Sequence, residues 1–343
     1  MAYSTIIKPN TQMNPVLYTG TGSSQSIDTG FQTDWTWIKK RSGSANHCLY
    51  DTIRGATKTI HSDVANAEST DAQLLTAFET DGFTVGTGAN VNESSATFVS
   101  WNWKAGGTAS SNTDGSITSS VSANTDSGFS IVTWTGTGAN ATVGHGLGSV
   151  PKMIILKNRD SDENWIVGNT SLGWTKYLSL NTTDSVSTVS NIWQDTTPTS
   201  SVFSIGASGK VNGSSNGMVV YAFAEKKGFS KMGSYTGNGS TDGTFIYTGF
   251  SPSFILFKNA SVTESWTILD LKRASVPNAN PNANVLWPND NFAEYDETQG
   301  IDFLSNGFKV RESATGFNGS GNTIIYMAFA ENPLVANTSG GIP

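Results

Sequence analysis

The sequence predicts an all-β protein built from three tandem antiparallel β-sandwich repeats, jelly-roll-like, with one short helix in the first. Three observations carry this reading. An aromatic residue followed by Thr-Gly-x-Gly starts at Tyr18, Trp134 and Tyr235. Each start is followed by the same series of apolar runs in the same order, which is the mark of an internal repeat. The runs are short, rich in Val, Ile, Thr and aromatics, and bounded by Gly, Asn, Asp and Ser, as antiparallel strands are.

In chain order, residues 1–15 form a leader, read as extended and as covering the first sheet or serving assembly. The first repeat spans 16–105. It holds Trp35-Thr-Trp-Ile-Lys39, Cys48-Leu-Tyr50, Gly82-Phe-Thr-Val-Gly86 and Phe98-Val-Ser-Trp-Asn-Trp103. Its helix is predicted over 70–80, from a capping box at Thr70 and Gln73, a face of Leu74, Leu75 and Phe78, and a stop at Gly82. Residues 106–126 carry almost no large apolar side chains and read as a Gly/Ser/Thr linker, with Ile117 and Val121 able to form an edge strand. The second repeat spans 127–226, with Met153-Ile-Ile-Leu-Lys157, Trp165-Ile-Val167, Val202-Phe-Ser-Ile-Gly206 and Met218–Glu225. The third spans 227–332, with Phe254-Ile-Leu-Phe-Lys258, Trp266-Thr-Ile-Leu269, Gly307-Phe-Lys-Val310 and Ile324–Glu331. Residues 333–343 read as a loop-like tail. Runs such as Met153–Leu156 and Ile324–Phe329 are apolar at nearly every position, so both faces of these strands should be covered. Trp103, Phe223 and Phe329 should occupy equivalent buried positions.

Composition narrows the function. The 343 residues carry a net charge of −7 and only 14% charged residues. That leaves no basic footprint for nucleic acid. No apolar window is long enough for a membrane helix, and the N-terminus lacks the basic and apolar regions of a signal peptide. With one cysteine, Cys48, there is no intrachain disulfide; Cys48 reads as a buried strand residue, with His47 on the opposite face.

Chemical motifs are few. Gly136-Thr-Gly-Ala-Asn-Ala141 matches a dinucleotide fingerprint in outline, but no helix can follow it, so it reads as a turn. His47, His61 and His145 have no metal-ligand spacing, and His145 reads as a turn or surface residue. Asp160, Asp162 and Glu163 read as an acidic hairpin tip, with calcium binding left open. Asp51, Asp270, Asp302 and Glu297 show no spacing that pairs them. The expectation is a non-enzyme with no catalytic, cofactor or metal residues. Recognition falls to loops between the shared strands: Asp160–Asn164, Asn169–Asn181 and Ala274–Asn291. There Trp174, Trp193 and Trp287 are candidate stacking residues, and Asn284 and Asn289 candidate hydrogen-bonding ones. Trp287 with its asparagines would suit a neutral glycan.

Leu17-Tyr-Thr-Gly-Thr-Gly22, Trp37-Ile-Lys-Lys-Arg41, Asp51-Thr-Ile-Arg-Gly55, Phe78–Gly86, Trp101–Gly107, Phe223–Ser230 and Tyr326–Glu331 together give the chain its resemblance. It resembles a family of virion proteins of tailed phages infecting marine bacteria. The resemblance implies a tail-fibre or receptor-binding component, made in the host cytoplasm and carried on the tail or capsid surface. Its partners would be other virion proteins and a host surface glycan or protein receptor. It would be a homo-oligomer, a trimer by analogy with fibres. A capsid decoration without a receptor is the second reading, and a polysaccharide depolymerase the third.

Overall fold

A computed structural model describes residue 4 and residues 6–274 and 280–333, the side chains of 297–299 and 331–333 excepted. The chain is all-β, in antiparallel sheets. Three sheets share one strand order. The first pairs Met13–Thr19, Thr97–Trp103, Trp35–Lys40 and Cys48–Asp51, in that order across the sheet. The second has Phe129–Thr135, Gly217–Phe223, Met153–Asn158 and Ile166–Asn169 at the same places. The third has Ser230–Thr236, Thr323–Pro333, Phe250–Asn259 and Trp266–Asp270. We call these the inner sheets of units one, two and three. A smaller outer sheet accompanies each: Gln25–Asp28, Gly82–Val85 and Leu75–Phe78 in unit one, Ala141–Gly144 and Val202–Ile205 in unit two. In unit three it is built from Phe245–Tyr247, Gly307–Val310, Tyr295–Leu304 and Asn282–Val285.

The central inner strands are buried on both faces because their alternate side chains serve two cores, whereas the edge strands Met13–Thr19 and Ser230–Thr236 are partly exposed. In Met153–Asn158, Ile154 and Leu156 join Val143, Phe203 and Ile205 beneath the outer sheet. Met153 and Ile155 turn the other way, into a core shared by all three units. At its centre Trp103, Phe223 and Phe329, which hold the same register position, touch one another at centroid distances of 6.5, 5.8 and 6.0 Å. The three units close a ring. Lys39 Nζ of unit one donates to Asn291 O of unit three, Lys157 of unit two to Ala65 O of unit one, and Lys258 of unit three to Thr183 O of unit two. Glu294 N–H likewise donates to Arg41 O, Glu68 N–H to Arg159 O and Val186 N–H to Ala260 O. The same two contacts therefore recur at three junctions, giving the single chain an approximate threefold axis.

The Thr-Gly-x-Gly starts have a structural cause. Each loop docks on a four-residue helix, Ala89–Asn92, Gly209–Asn212 or Thr315–Asn318. The buried Asn92, Asn212 and Asn318 side chains accept the N–H of Thr21, Thr137 and Asn238 and donate back to nearby loop oxygens. A Cβ on Gly20, Gly136 or Gly237 would lie 2.1–2.3 Å from a backbone oxygen, and Gly22, Gly138 and Gly239 have φ near +70°. Only glycine meets both demands.

Two expectations are corrected. The helix predicted over 70–80 is absent: Leu75–Phe78 is a strand against Gly82–Val85, kinked by an irregularity that lets both Leu74 and Leu75 reach the core. Thr70 does not cap; its hydroxyl accepts from Lys58, while Asp71 turns the chain by accepting Gln73 N–H. Residues 106–126 are not a linker. Ser119–Asn124 pairs with Phe129–Thr135, and Ser110–Asn112 pairs with it in turn. The edge strand allowed at Ile117 and Val121 is present at Val121, while Ser110–Asn112 escaped notice because backbone pairing at a sheet edge needs no apolar side chains. Met13, Asn14 and Pro15, placed in the leader, already belong to a strand. Residues 334–343, Pro277 and the Glu297 side chain lie outside the described residues.

Candidate ligand groove on the third unit

The register aligns the loop Trp287-Pro-Asn-Asp-Asn-Phe-Ala-Glu294 of unit three with His61–Glu68 of unit one and Ser179–Val186 of unit two. The alignment rests on repeated bonds. Asn289 Oδ1 accepts Trp266 N–H, Asn181 Oδ1 accepts Trp165 N–H, and Asp63 Oδ1 accepts His47 N–H. Asn289 is therefore a framework residue that orders the loop, and its amide also donates to Ser265. Asn284 is buried in a strand. Neither asparagine lines the groove around Trp287.

Trp174 and Trp193 are buried too and meet edge to face at 5.4 Å. They fill unit two's core under an outer sheet of only two strands, over Gly168, where a Cβ would lie 2.4 Å from Trp174. Sequence spacing placed both in loops; Trp174 lies in a turn, but Trp193 ends a short helix, Ser190–Trp193, and both fold over an apolar gap. Trp287 alone of the three candidates is only partly buried, packed on one side against the core. It stacks on Tyr295 at 6.1 Å and lines a groove of about 340 Å³. Glu264, Thr267, Asp290, Phe292 and Thr315 also line it. Phe292 is 57% exposed. The volume falls at the low end of small-ligand sites, roughly 300–1,000 Å³. Sequence reasoning missed Phe292, Glu264 and Asp290; the alignment of the three loops, once known, singles them out.

Other candidates resolve into structure. Asp51 pairs with Arg54, and Asp270 with Arg273, all with fully buried side chains. Asp160 accepts Gly217 N–H and Asp162 accepts Ala67 N–H. Among the described residues no group of three or more His, Cys, Asp and Glu is placed to hold a metal. His145 is not on the surface: it is buried, its Nδ1 accepts Leu147 N–H, its Nε2 lies 3.2 Å from Thr199 O, and burial lowers its pKa. Gly136–Ala141 leads into the strand Ala141–Gly144 and offers no helix N-terminus. Cys48 is buried and 3.7 Å from His61 Nδ1, but burial pushes the thiol up to about 12, far from a reactive thiolate.

The architecture is thus an all-β ring of three quasi-equivalent units with a groove on one of them. By sequence the chain belongs to the family described as Domain of unknown function (DUF7483), whose model matches residues 8–333. No curated protein matches it.

Proposed function

We propose that the chain is a non-enzymatic virion surface protein, a tail-fibre or receptor-binding component, which engages a host surface through the groove around Trp287. One observation carries the reading. At the three aligned loops the framework residues repeat, but the groove residues do not: Trp287 stands where units one and two have His61 and Ser179, and Phe292 where they have Asn66 and Asp184. The fold forms without aromatics at those positions; Trp287 packs one side against the core, but burial does not explain the exposed Phe292. An exposed ring beside a half-buried one, on a loop fixed by a rigid scaffold, suits recognition. The resemblance to phage virion proteins supplies the setting, on the tail or capsid surface. The homo-oligomer is part of the proposal, a trimer by analogy, although the ring already buries three inner sheets within one chain.

The test is adsorption of particles to host cells with Trp287→Ser and Phe292→Asn, both residues that the other units carry. Loss of adsorption with assembly intact is the expected result. Unchanged adsorption, with the protein located on the capsid, would select the capsid-decoration reading instead. Release of sugar from host envelope would select the depolymerase.

A further inference from the structure

From the chemistry of the groove we infer that it takes a glycan residue bearing a protonated amine, rather than a neutral or anionic sugar. The inference rests on the reading of this groove as the recognition site. Two carboxylates, Glu264 and Asp290, line it together with the rings of Trp287, Phe292 and Phe317. Neither carboxylate forms an ion pair among the described residues: Asp290 Oδ1 accepts only Phe292 N–H, at 3.3 Å, and the Glu264 side chain makes no hydrogen bond. Elsewhere acidic side chains at the unit junctions are matched with arginine, as Glu68 and Glu294 are.

These acids are not framework residues. Glu264 aligns with Ala45 and Glu163, and Asp290 with Val64 and Thr182, so no other unit combines both acids with both aromatic rings. What the fold needs from Glu264 is its backbone carbonyl, which accepts from Lys258, and its N–H, which donates to Thr183 O. The side chain acts on Lys258 only through longer-range charge, makes no hydrogen bond and lines the groove.

Rings flanked by carboxylates attract an ammonium twice, through the negative ring face and through charge, and most strongly where water is displaced. The same carboxylates repel sialylated or uronic sugars, and an uncharged sugar would desolvate them with only the longer-range charge of Lys258 and Lys39 as compensation. The net charge of −7 adds long-range attraction for a cationic ligand. A sugar fits better than a lysine side chain because the rings offer flat stacking surface, while Ser265, Thr267 and Thr315 provide hydroxyls for ring substituents.

The experiment is calorimetric titration of the purified full chain, in mildly acidic low-salt buffer, with a glucosamine oligomer, the matching N-acetylglucosamine oligomer and a lysine-containing peptide. Wild type should bind the amine oligomer about tenfold or more tighter than the acetylated one, the scale of a partly desolvated cation–π contact. Glu264→Gln with Asp290→Asn should abolish that preference, and Trp287→Ser should weaken both oligomers. Equal affinities, no binding, a tighter lysine peptide, or a preference that survives loss of both acids would overturn the inference. Adsorption to host cells is scored separately. Amine binding lost in Trp287→Ser with adsorption unchanged would sink the receptor role and leave the ligand chemistry standing.

Discussion

Two of the three junctions in the ring are ionic and the third is apolar. Where unit two meets unit one, Arg159 and Arg54 share Glu68, Arg54 pairs with Asp51, and Tyr221 of unit two donates to Asp51 Oδ2 at 2.8 Å. Where unit one meets unit three, Arg41 and Arg273 share Glu294, Arg273 pairs with Asp270, and Trp101 of unit one donates to Asp270 Oδ2 at 2.8 Å. At the junction of units three and two the register gives Ala260, Val186, Leu172, Asn169 and Met327 at the matching places. The backbone contact is unchanged, Val186 N–H to Ala260 O. One geometry is therefore held by two chemistries, and main-chain bonds with the apolar core set the ring, not the ions. Buried ion pairs are compatible with stability only while complete, since each charge has been taken out of water.

The largest effect should come from breaking an ionic junction halfway. Arg54→Ala strands Asp51 and should cost about 3–5 kcal/mol in urea unfolding. The comparison sharpens if both buried carboxylates and the buried arginine between them are replaced by their counterparts at the apolar junction. Asp51→Asn, Arg54→Leu and Glu68→Val together should cost less than Arg54→Ala alone, because no buried carboxylate of the set remains; a greater cost would mean the ions do specify the ring. At the apolar junction, Leu172→Ala should cost about 1–2 kcal/mol, below the usual range for a fully buried leucine, because Leu172 is only partly covered.

Acid should separate the junctions. Burial alone would raise Glu68 and Glu294, but hydrogen bonds and charge from Arg159 and Arg54, and from Arg41 and Arg273, outweigh it and hold both below the ordinary value. A depressed carboxyl stabilises the fold above its unfolded pKa, and the contribution is lost as pH falls through the folded value. Glu68→Gln should therefore flatten the acid limb of a stability–pH curve, whereas Leu172→Ala should shift the curve without changing its shape. The smallest effect concerns Asp63, which burial pushes up to about 6 and which aligns with Asn181 and Asn289. A raised carboxyl costs stability as pH rises through the folded value. Asp63→Asn should then stabilise by about 1 kcal/mol at neutral pH, reduced by the lost attraction to Lys39, and the gain should vanish below pH ~4. A destabilised variant at neutral pH would show that Lys39 needs the charge.

Local signals made much of this molecule legible. The repeated order of apolar runs marked the inner strands, their continuous apolarity announced cover on both faces, and the Thr-Gly-x-Gly starts marked a site where only glycine fits. Of the five candidate residues Trp287 lines the groove, while Trp174 and Trp193 lie in the core, Asn284 is buried in a strand and Asn289 orders a loop. Membership of a loop says nothing about which way a tryptophan folds, and the gap that Trp174 and Trp193 fill exists only because the outer sheet above them is short.

The sequence by itself determined the all-β class, the recurring order of strands and the two-faced burial of the central ones, because these follow from patterns a few residues long. Only the tertiary structure decided that the units close into a ring, which junctions are ionic, and that Glu264, Asp290 and Phe292 share a groove with Trp287. Those facts depend on neighbours far apart in the chain: Lys39 and Asn291, whose contact closes one junction, are 252 residues apart. No local periodicity reports on such a pair, since their meeting is fixed by sheet packing around the Trp103, Phe223 and Phe329 axis.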